Sequence, residues 1–259
     1  MPKPRRPLTR PHAIWCARTD TGYVRDNNED AVAVNAARGL AVLADGMGGY
    51  NAGEIASAMA VERVMELLGQ WLEKVGAAAR PQAIARAMQR CVAQANRAIF
   101  EAACEHADFA GMGTTLVVAA LHEKTLLIGH IGDSRAYRLR GGVLQQLTCD
   151  HTLLQEHIDL GLMTEEEAAI SPYRGLLTRA LGVQDDAPLD VQMQTVEPGD
   201  LYLLCSDGLT DMLDASALAT ALTGDAPLAT QAQTLLDMAN AQGGHDNISL
   251  ILCRVHDGL

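Results

Sequence analysis

Leu40-Ala41-Val42-Leu43-Ala44-Asp45-Gly46-Met47-Gly48-Gly49 is the stretch from which this chain is best read. A short apolar run of this kind marks a buried strand. It stops on a carboxylate, and three glycines occupy the next four positions. An aspartate at the mouth of a buried strand does not stay charged there without a partner. Glycines let the backbone turn sharply and approach closely whatever lies opposite. Two readings fit: a carboxylate aimed at a cation beside bare backbone, or an Asp-Gly turn closing a strand, which is common in α/β proteins. Recurrence elsewhere in the chain separates them.

Composition limits the rest. At 259 residues the chain has room for one large domain or two small ones. Hydrophobic residues make up 48% but aromatics only 3%, so the core is built from Ala, Leu, Val, Ile and Met. A net charge of -12 disfavours broad nucleic-acid binding, which needs a basic footprint. It suits a soluble protein whose carboxylates are partly offset by metal cations. Cys16, Cys91, Cys104, Cys149, Cys205 and Cys253 form no CxxC pair and no zinc-type spacing, which reads as reduced thiols in a cytoplasmic protein. No apolar run approaches a membrane span. Residues 1–12, basic and Pro-rich, are followed by no apolar segment, so they read as a flexible tail and not a signal peptide.

Along the chain, Trp15 to Tyr23 reads as a first strand and turn, and Ala31 to Val34 as a second strand. Between them lies Val24-Arg25-Asp26-Asn27-Asn28-Glu29-Asp30. That segment is either a solvated hairpin loop or a frame for Arg25 as a fork-shaped donor to an oxyanion such as phosphate. Glu54 to about Val75, and Pro81 to about His106, have helical composition, with Pro81 suited to a helix start. Two consecutive helices after a strand meander indicate α+β or layered architecture. Leu116–Leu121 and Leu126–Ile131 are further strands, the second ending in Gly132-Asp133-Ser134-Arg135, and Ala136–Leu139 leads through Gly141-Gly142 into another hairpin. Asp150 to Gly182 is an irregular, partly helical and partly mobile excursion with a capping-box pattern at Thr164–Glu167. Leu201–Cys205 is a buried strand ending in Ser206-Asp207-Gly208, and Gly243-Gly244-His245-Asp246-Asn247 opens the last strand. Asp214–Leu222 and Ala226–Gln242 read as helices.

Asp45, Asp133, Asp207 and Asp246 thus each sit at the edge of an apolar strand, three at C-terminal ends and one at a start. In antiparallel sheets ends and starts share a rim, so the four can converge. Converging carboxylates repel unless cations hold them, and an oxygen-only donor set favours Mg²⁺ or Mn²⁺ over Zn²⁺. Two such ions are a standard device for activating water and clamping a phosphoryl group, with Arg25 available for the phosphate.

Read together, these segments form an ordered series: Arg25 with Asn28-Glu29-Asp30; Ala44 to Gly49; Gly111-Met112-Gly113-Thr114-Thr115; Gly132 to Arg135; Leu147-Thr148 before Asp150-His151; Thr178-Arg179-Ala180-Leu181-Gly182; Ser206-Asp207-Gly208-Leu209; and Gly243 to Asn247. In that order, from about Cys16 to Val255, the sequence resembles the metal-dependent serine/threonine protein phosphatases of the PP2C (PPM) type, in particular their compact bacterial members. The resemblance implies an α+β fold, a four-layer α-β-β-α sandwich around two antiparallel sheets, as a single catalytic domain over residues 13–259. It implies Mn²⁺ or Mg²⁺, two core ions with a third, looser site. By it Asp45 bridges the core ions, Gly46 contributes its carbonyl, and Asp207 and Asp246 complete the first ion's shell. Asp133 with Asp207 forms the third site, and Glu29 and Asp30 hold metal-bound waters. Asn247 supports the Asp246 loop, and Arg25 grips the substrate phosphate.

The mechanism so implied is direct attack of a bridging water on phosphorus, without a phosphoenzyme. Ser206 and Ser134 lie in no GxSxG elbow and are not read as nucleophiles. Eukaryotic relatives carry a histidine where this chain has Met47, which leaves the general acid open between water on the third ion and His151. The excursion over 150–182 takes the place of the family's flap and is expected to shape substrate choice; Arg174 and Arg179 are either phosphopeptide contacts or structural. The resemblance implies phosphoprotein substrates, opposition to a bacterial Ser/Thr kinase, and a monomer, with no nucleic acid and no membrane insertion. A phosphoprotein-binding pseudo-phosphatase, a hydrolase of small phosphoesters, and a phosphatase dedicated to partner switching or a secretion apparatus are the rival readings. Intact Asp45, Asp207, Asp246 and Arg25 speak against the first.

Overall fold

A computed structural model of the chain describes residues 13–49 and 52–256. The basic segment 1–12 lies outside the described residues. One antiparallel sheet orders β1 (Ala13–Asp20), β11 (Ile248–Val255), β10 (Leu201–Cys205), β7 (Arg135–Arg140) and β8 (Val143–Gln146). The other orders β2 (Asp30–Asn35), β3 (Leu40–Met47), β5 (Leu116–His122), β6 (Thr125–Ile131) and β9 (Asp190–Thr195), and the two-residue β4 (Gly113–Thr114) pairs with the end of β3. Helices α1 (Ala52–Val75) and α2 (Pro81–Glu105) cover the second sheet. After the one-turn α5 (Asp207–Thr210), helices α6 (Ala215–Leu222) and α7 (Leu228–Ala241) cover the first. The result is the four-layer α-β-β-α sandwich implied by the resemblance.

The period-two alternation of a strand explains why its runs are continuously apolar. In β3, Leu40, Val42 and Ala44 face the helices, while Ala41 and Leu43 face the other sheet. In β10, Leu203 and Cys205 meet the α6–α7 layer, while Tyr202 and Leu204 enter the space between the sheets. Both faces of these two strands are buried, so apolar residues fill consecutive positions. Each fully buried leucine contributes about 1.5–3 kcal/mol relative to exposure.

Local signals are obeyed as well. Pro81 opens α2, and the Thr164–Glu167 capping box starts α4 (Glu165–Ala169). Between the flap's stems, α3 (Leu153–Asp159) precedes it. Two features differ from the expectations. Strand β3 continues to Met47, so Asp45 lies within the ladder, directly opposite Asp30 of β2. Strand β9 alternates glutamines with Val191 and Met193 on a sheet edge, a pattern without the continuous apolar run that marks the inner strands. Among the described residues no helix is long and apolar enough to cross a membrane.

The registers set the site. Cys205 of β10 pairs with Leu250 of β11, and Asp20 of β1 with Ile248. The residues after β10 and before β11 therefore share one rim. Across the sandwich, the C-terminal end of β3 and the turn after β6 reach the same rim.

Candidate active site

A cleft of about 530 Å³ opens at that rim. Asp45, Asp133, Asp207 and Asp246 all line it, together with Arg25, Glu29, Gly46, Met47, Thr115 and Asn247. All four aspartates are thus brought together, Asp45 from within β3 and the other three from separate strand connections. Asp30 lies behind Asp45 on β2.

Electrostatics mark the cluster as short of positive charge. Loss of solvation raises the Asp45 carboxyl well above its ordinary value, and neighbouring Asp30, Asp207 and Asp133 push it further. Loss of solvation also takes Asp30 to about 7 and Asp133 to about 7, with Asp207 adding repulsion to each. Asp207 is raised to about 6, first by desolvation and then by Asp246 and Asp211. Oδ2 of Asp30 accepts a hydrogen bond from the Ser206 hydroxyl at 2.8 Å, whereas its buried Oδ1 accepts none. Among the described residues, the cation in direct contact with these groups is Arg25, whose Nη2 donates to Asp246 Oδ2 at 2.7 Å. An all-oxygen set of crowded carboxylates, one with an unpartnered buried oxygen, fits hard divalent cations.

Much of the framework consists of hydrogen bonds to backbone. Asp45 is clamped on both sides: its N–H donates to Thr115 Oγ1 at 3.0 Å, and its carbonyl accepts from the Thr114 hydroxyl at 2.8 Å. Asn247 Nδ2 donates to the carbonyls of Thr21 (2.9 Å) and Asn27 (2.8 Å), while its Oδ1 accepts from Glu29 N–H at 2.7 Å. It thereby ties the segment around Arg25 to the Asp246 loop. Gly46 N–H donates to Glu29 O at 3.1 Å. A Cβ on Gly46 would collide with the carbonyls of Gly53 and Glu29, and one on Gly53 with the Glu29 carboxylate. The start of α1 therefore packs against the backbone of Gly46 and Glu29 at a distance that only glycine permits.

Thr114, Thr115 and Gly53 had no assigned role in the sequence reading. The Gly-Met-Gly-Thr-Thr motif was the available signal for the threonines. Gly53, at the start of a helix, carried none of its own.

Other candidates fall outside the chemistry. Ser206 and Ser134 are occupied structurally. Ser206 Oγ donates to Asp30 and accepts from Ser249 N–H at 3.0 Å, and Ser134 Oγ shares a 2.7 Å hydrogen bond with Thr115. Met47 lines the cleft and offers no proton. His151 does not line it; its Nδ1 accepts from Gly132 N–H at 3.1 Å and its Nε2 pairs with Asp190 at 3.0 Å. With both ring nitrogens engaged it is not placed as a general acid. Arg179 also pairs with Asp190. Arg174 spans from the flap to Asp211 at 3.0 Å, beside a second groove of about 340 Å³ that shares Asp133, Gly175 and Asp207 with the cleft.

A cleft in which a two-sheet sandwich gathers carboxylates and one arginine defines a hydrolase of phosphate esters. The chain belongs to the protein phosphatase 2C family, whose model matches residues 23–252. Within that family it is similar to Protein phosphatase PhpP of Streptococcus pneumoniae, with 38% identity over 242 residues, 92% of this chain and 96% of that one. It is similar in structure to a serine/threonine phosphatase of S. agalactiae, with a TM-score of 0.86 and 36% identity, covering 95% of this chain and 100% of that chain. The catalytic domain of the phosphatase PstP, solved with two manganese ions, superposes with a TM-score of 0.82 at 36% identity, covering 95% and 99%.

Proposed function

We propose that this chain is a Mn²⁺- or Mg²⁺-dependent phosphatase of phosphoserine and phosphothreonine in proteins, working in a bacterial cytoplasm against a Ser/Thr kinase. The observation that carries this reading is the convergence of Asp45, Asp207, Asp246 and Arg25 on one cleft, where burial and neighbouring acids raise the Asp45 and Asp207 carboxyls. The two manganese ions of PstP make the same class of ion the natural complement here. Asp45, the Gly46 carbonyl, Asp207, Asp246 and Asp133 are the oxygen donors that would hold such ions. Such ions supply a nucleophilic oxygen at neutral pH and neutralise developing phosphoryl charge.

The chain's own residues do the rest. Arg25, anchored at the cleft by Asp246, offers its remaining guanidinium N–H groups to phosphoryl oxygens. Thr114 and Thr115 fix the backbone that presents Asp45 to the cleft. Asn247 holds the arginine loop and the Asp246 loop in register. Six unpaired cysteines agree with a reducing compartment.

The test is phosphate release from a phosphothreonine peptide, with and without chelator. Release that depends on Mn²⁺ or Mg²⁺ and stops in excess EDTA is expected. Full activity in excess EDTA overturns the metal reading.

A further inference from the structure

At the base of the flap, His130, His151 and Asp190 bring three ligand-type atoms within 4.8 Å of one another. A metal site is the first thought, and the geometry opposes it. The two imidazoles stack, with centroids 4.6 Å apart and planes at 23°, so their in-plane lone pairs run nearly parallel and do not converge on one ion. Asp190 already receives Arg179 on both oxygens, at 3.3 and 3.2 Å. Because His151 Nδ1 accepts from Gly132 N–H, its proton sits on Nε2 and points at Asp190. An ion on Nε2 would drive that proton to Nδ1, against the Gly132 N–H.

We propose instead that His151 is a positioning residue that locks the turn bearing Asp133 to the base of the flap. Two hydrogen bonds join His151 and Gly132: Gly132 N–H to Nδ1 at 3.1 Å, and His151 N–H to Gly132 O at 3.0 Å. The His151 carbonyl also accepts from Thr178 N–H at 2.9 Å, which closes the flap's outgoing stem onto its incoming one. Gly132 sits at φ +97, and a Cβ there would lie 2.7 Å from Thr115 side-chain carbons. The turn is therefore pressed onto Thr115, which holds Asp45. A continuous path runs from the flap stems through His151 and Gly132 to Asp133, and through Thr115 to Asp45. Burial, with His130 and Arg179 alongside, lowers the His151 pKa to about 4 against the pull of Asp190, so the Nδ1 lone pair is present at neutral pH.

The inference rests on Asp133 being a cation ligand. Its test uses two substitutions that each keep one half of the imidazole. In His151→Asn the amide oxygen replaces Nδ1 as acceptor for Gly132; in His151→Gln the amide replaces Nε2 and leaves Gly132 N–H unpaired. Readouts are amide exchange of Gly132 in the metal-free full chain, followed by NMR, and Mn²⁺ binding by equilibrium dialysis, alone and combined with Asp133→Asn. The His151→Gln variant is expected to speed Gly132 exchange and weaken the loosest Mn²⁺ site by about tenfold, the scale of one lost hydrogen bond. The His151→Asn variant should change neither. In the Asp133→Asn background, His151→Gln should add nothing to the loss of Mn²⁺ binding.

Equal loss of Gly132 protection in the two variants overturns the proposal, since a merely structural histidine would behave so. An undiminished effect of His151→Gln on top of Asp133→Asn overturns the route through Asp133. If Asp133→Asn alone leaves Mn²⁺ binding intact, the ligand reading of Asp133 fails and with it that route, while Gly132 exchange still decides whether His151 holds the turn.

Discussion

Strand β10 carries an aspartate at each end, and the two are treated in opposite ways. Asp200, before the strand, has a side chain 1% exposed, and every need it has is met within the chain. Arg140 grips both its oxygens at 2.7 Å, the Tyr202 hydroxyl donates at 3.0 Å, and Glu197 N–H at 2.9 Å. Although burial opposes it, these donors hold its carboxyl below the ordinary range. Asp207, after the strand, has acids for neighbours and is raised to about 6. A fold that can supply an arginine to one end of a strand and withholds it from the other leaves the second carboxylate for a cation from solution. Buried charge paired within the chain is structure; buried charge left short of a partner marks the site.

The largest expected effect breaks this contrast at the site end. Asp207→Asn should lower kcat by at least about 10²–10³-fold, the scale of losing one stabiliser of transition-state charge. It should also raise the melting temperature of the metal-free protein, because a repelled carboxylate is removed; each 1 kcal/mol corresponds to about 2–4 °C in a chain of this size. An unchanged kcat would remove Asp207 from the ligand set. At the other end, Asp200→Asn should destabilise by about 1.5–3 kcal/mol in urea unfolding, with kcat and Mn²⁺ dependence intact. A matching loss of Mn²⁺ affinity would show that the two ends are not separate.

The same contrast predicts opposite pH responses. Asp30 and Asp133 at about 7 and Asp207 at about 6 lie above the unfolded value of 3.8. Their contribution to stability is complete below about pH 4 and is lost as pH rises through 6 to 7. The Asp200 carboxyl is depressed, so its contribution is present above the unfolded value and fades only as acid protonates it in the folded state. Metal-free protein should therefore melt at lower temperature at pH 8 than at pH 5, by several degrees if the net change exceeds about 1 kcal/mol. Saturating Mn²⁺ should flatten or reverse the trend, since the ion replaces the proton. Calorimetry with and without Mn²⁺ reads this directly, and a metal-free melting curve indifferent to pH would count against the raised carboxyls.

Most of this site is visible before folding because each of the four aspartates lies at or near the end or start of an apolar run. Leu201–Cys205 followed by Ser206-Asp207 has the same grammar as Leu40–Ala44 followed by Asp45, and register does the rest. β3, β5 and β10 are legible for the same reason: with both faces buried, their middles are apolar, whereas β7, also inside its sheet, carries Arg135, Arg138 and Arg140. Strand β9 was not legible, because an edge strand of Asp-Val-Gln-Met-Gln-Thr lacks that signature. Nor was the exact extent of β3, whose last turn of ladder past Asp45 is sustained by β4 and Glu29 backbone, contacts between segments far apart in sequence. His151 shows the limit most clearly. It stood as one of two candidates for the proton donor, and only the arrangement of Gly132 and Asp190 around the ring shows both its nitrogens engaged.

The smallest expected effect concerns the one ion pair that joins the two patterns. Arg25 is to Asp246 as Arg140 is to Asp200, but its side chain is 54% exposed and its partner's 37%, against 29% and 1% for the structural pair. A pair so exposed contributes at most about 1 kcal/mol and is readily exchanged. It holds Asp246 without satisfying it, and keeps the guanidinium at the cleft without committing it. Arg25→Ala should therefore act with two signs. The KM for a phosphothreonine peptide should rise by about tenfold, because a charge-assisted contact to phosphate is lost. Mn²⁺ affinity, read by equilibrium dialysis, should improve by no more than about fivefold, because the competing cation on Asp246 is gone. A structural arginine of the Arg140 kind would instead lower stability and leave KM alone, so an unaltered KM with a lower melting temperature would move Arg25 to the other side of the comparison.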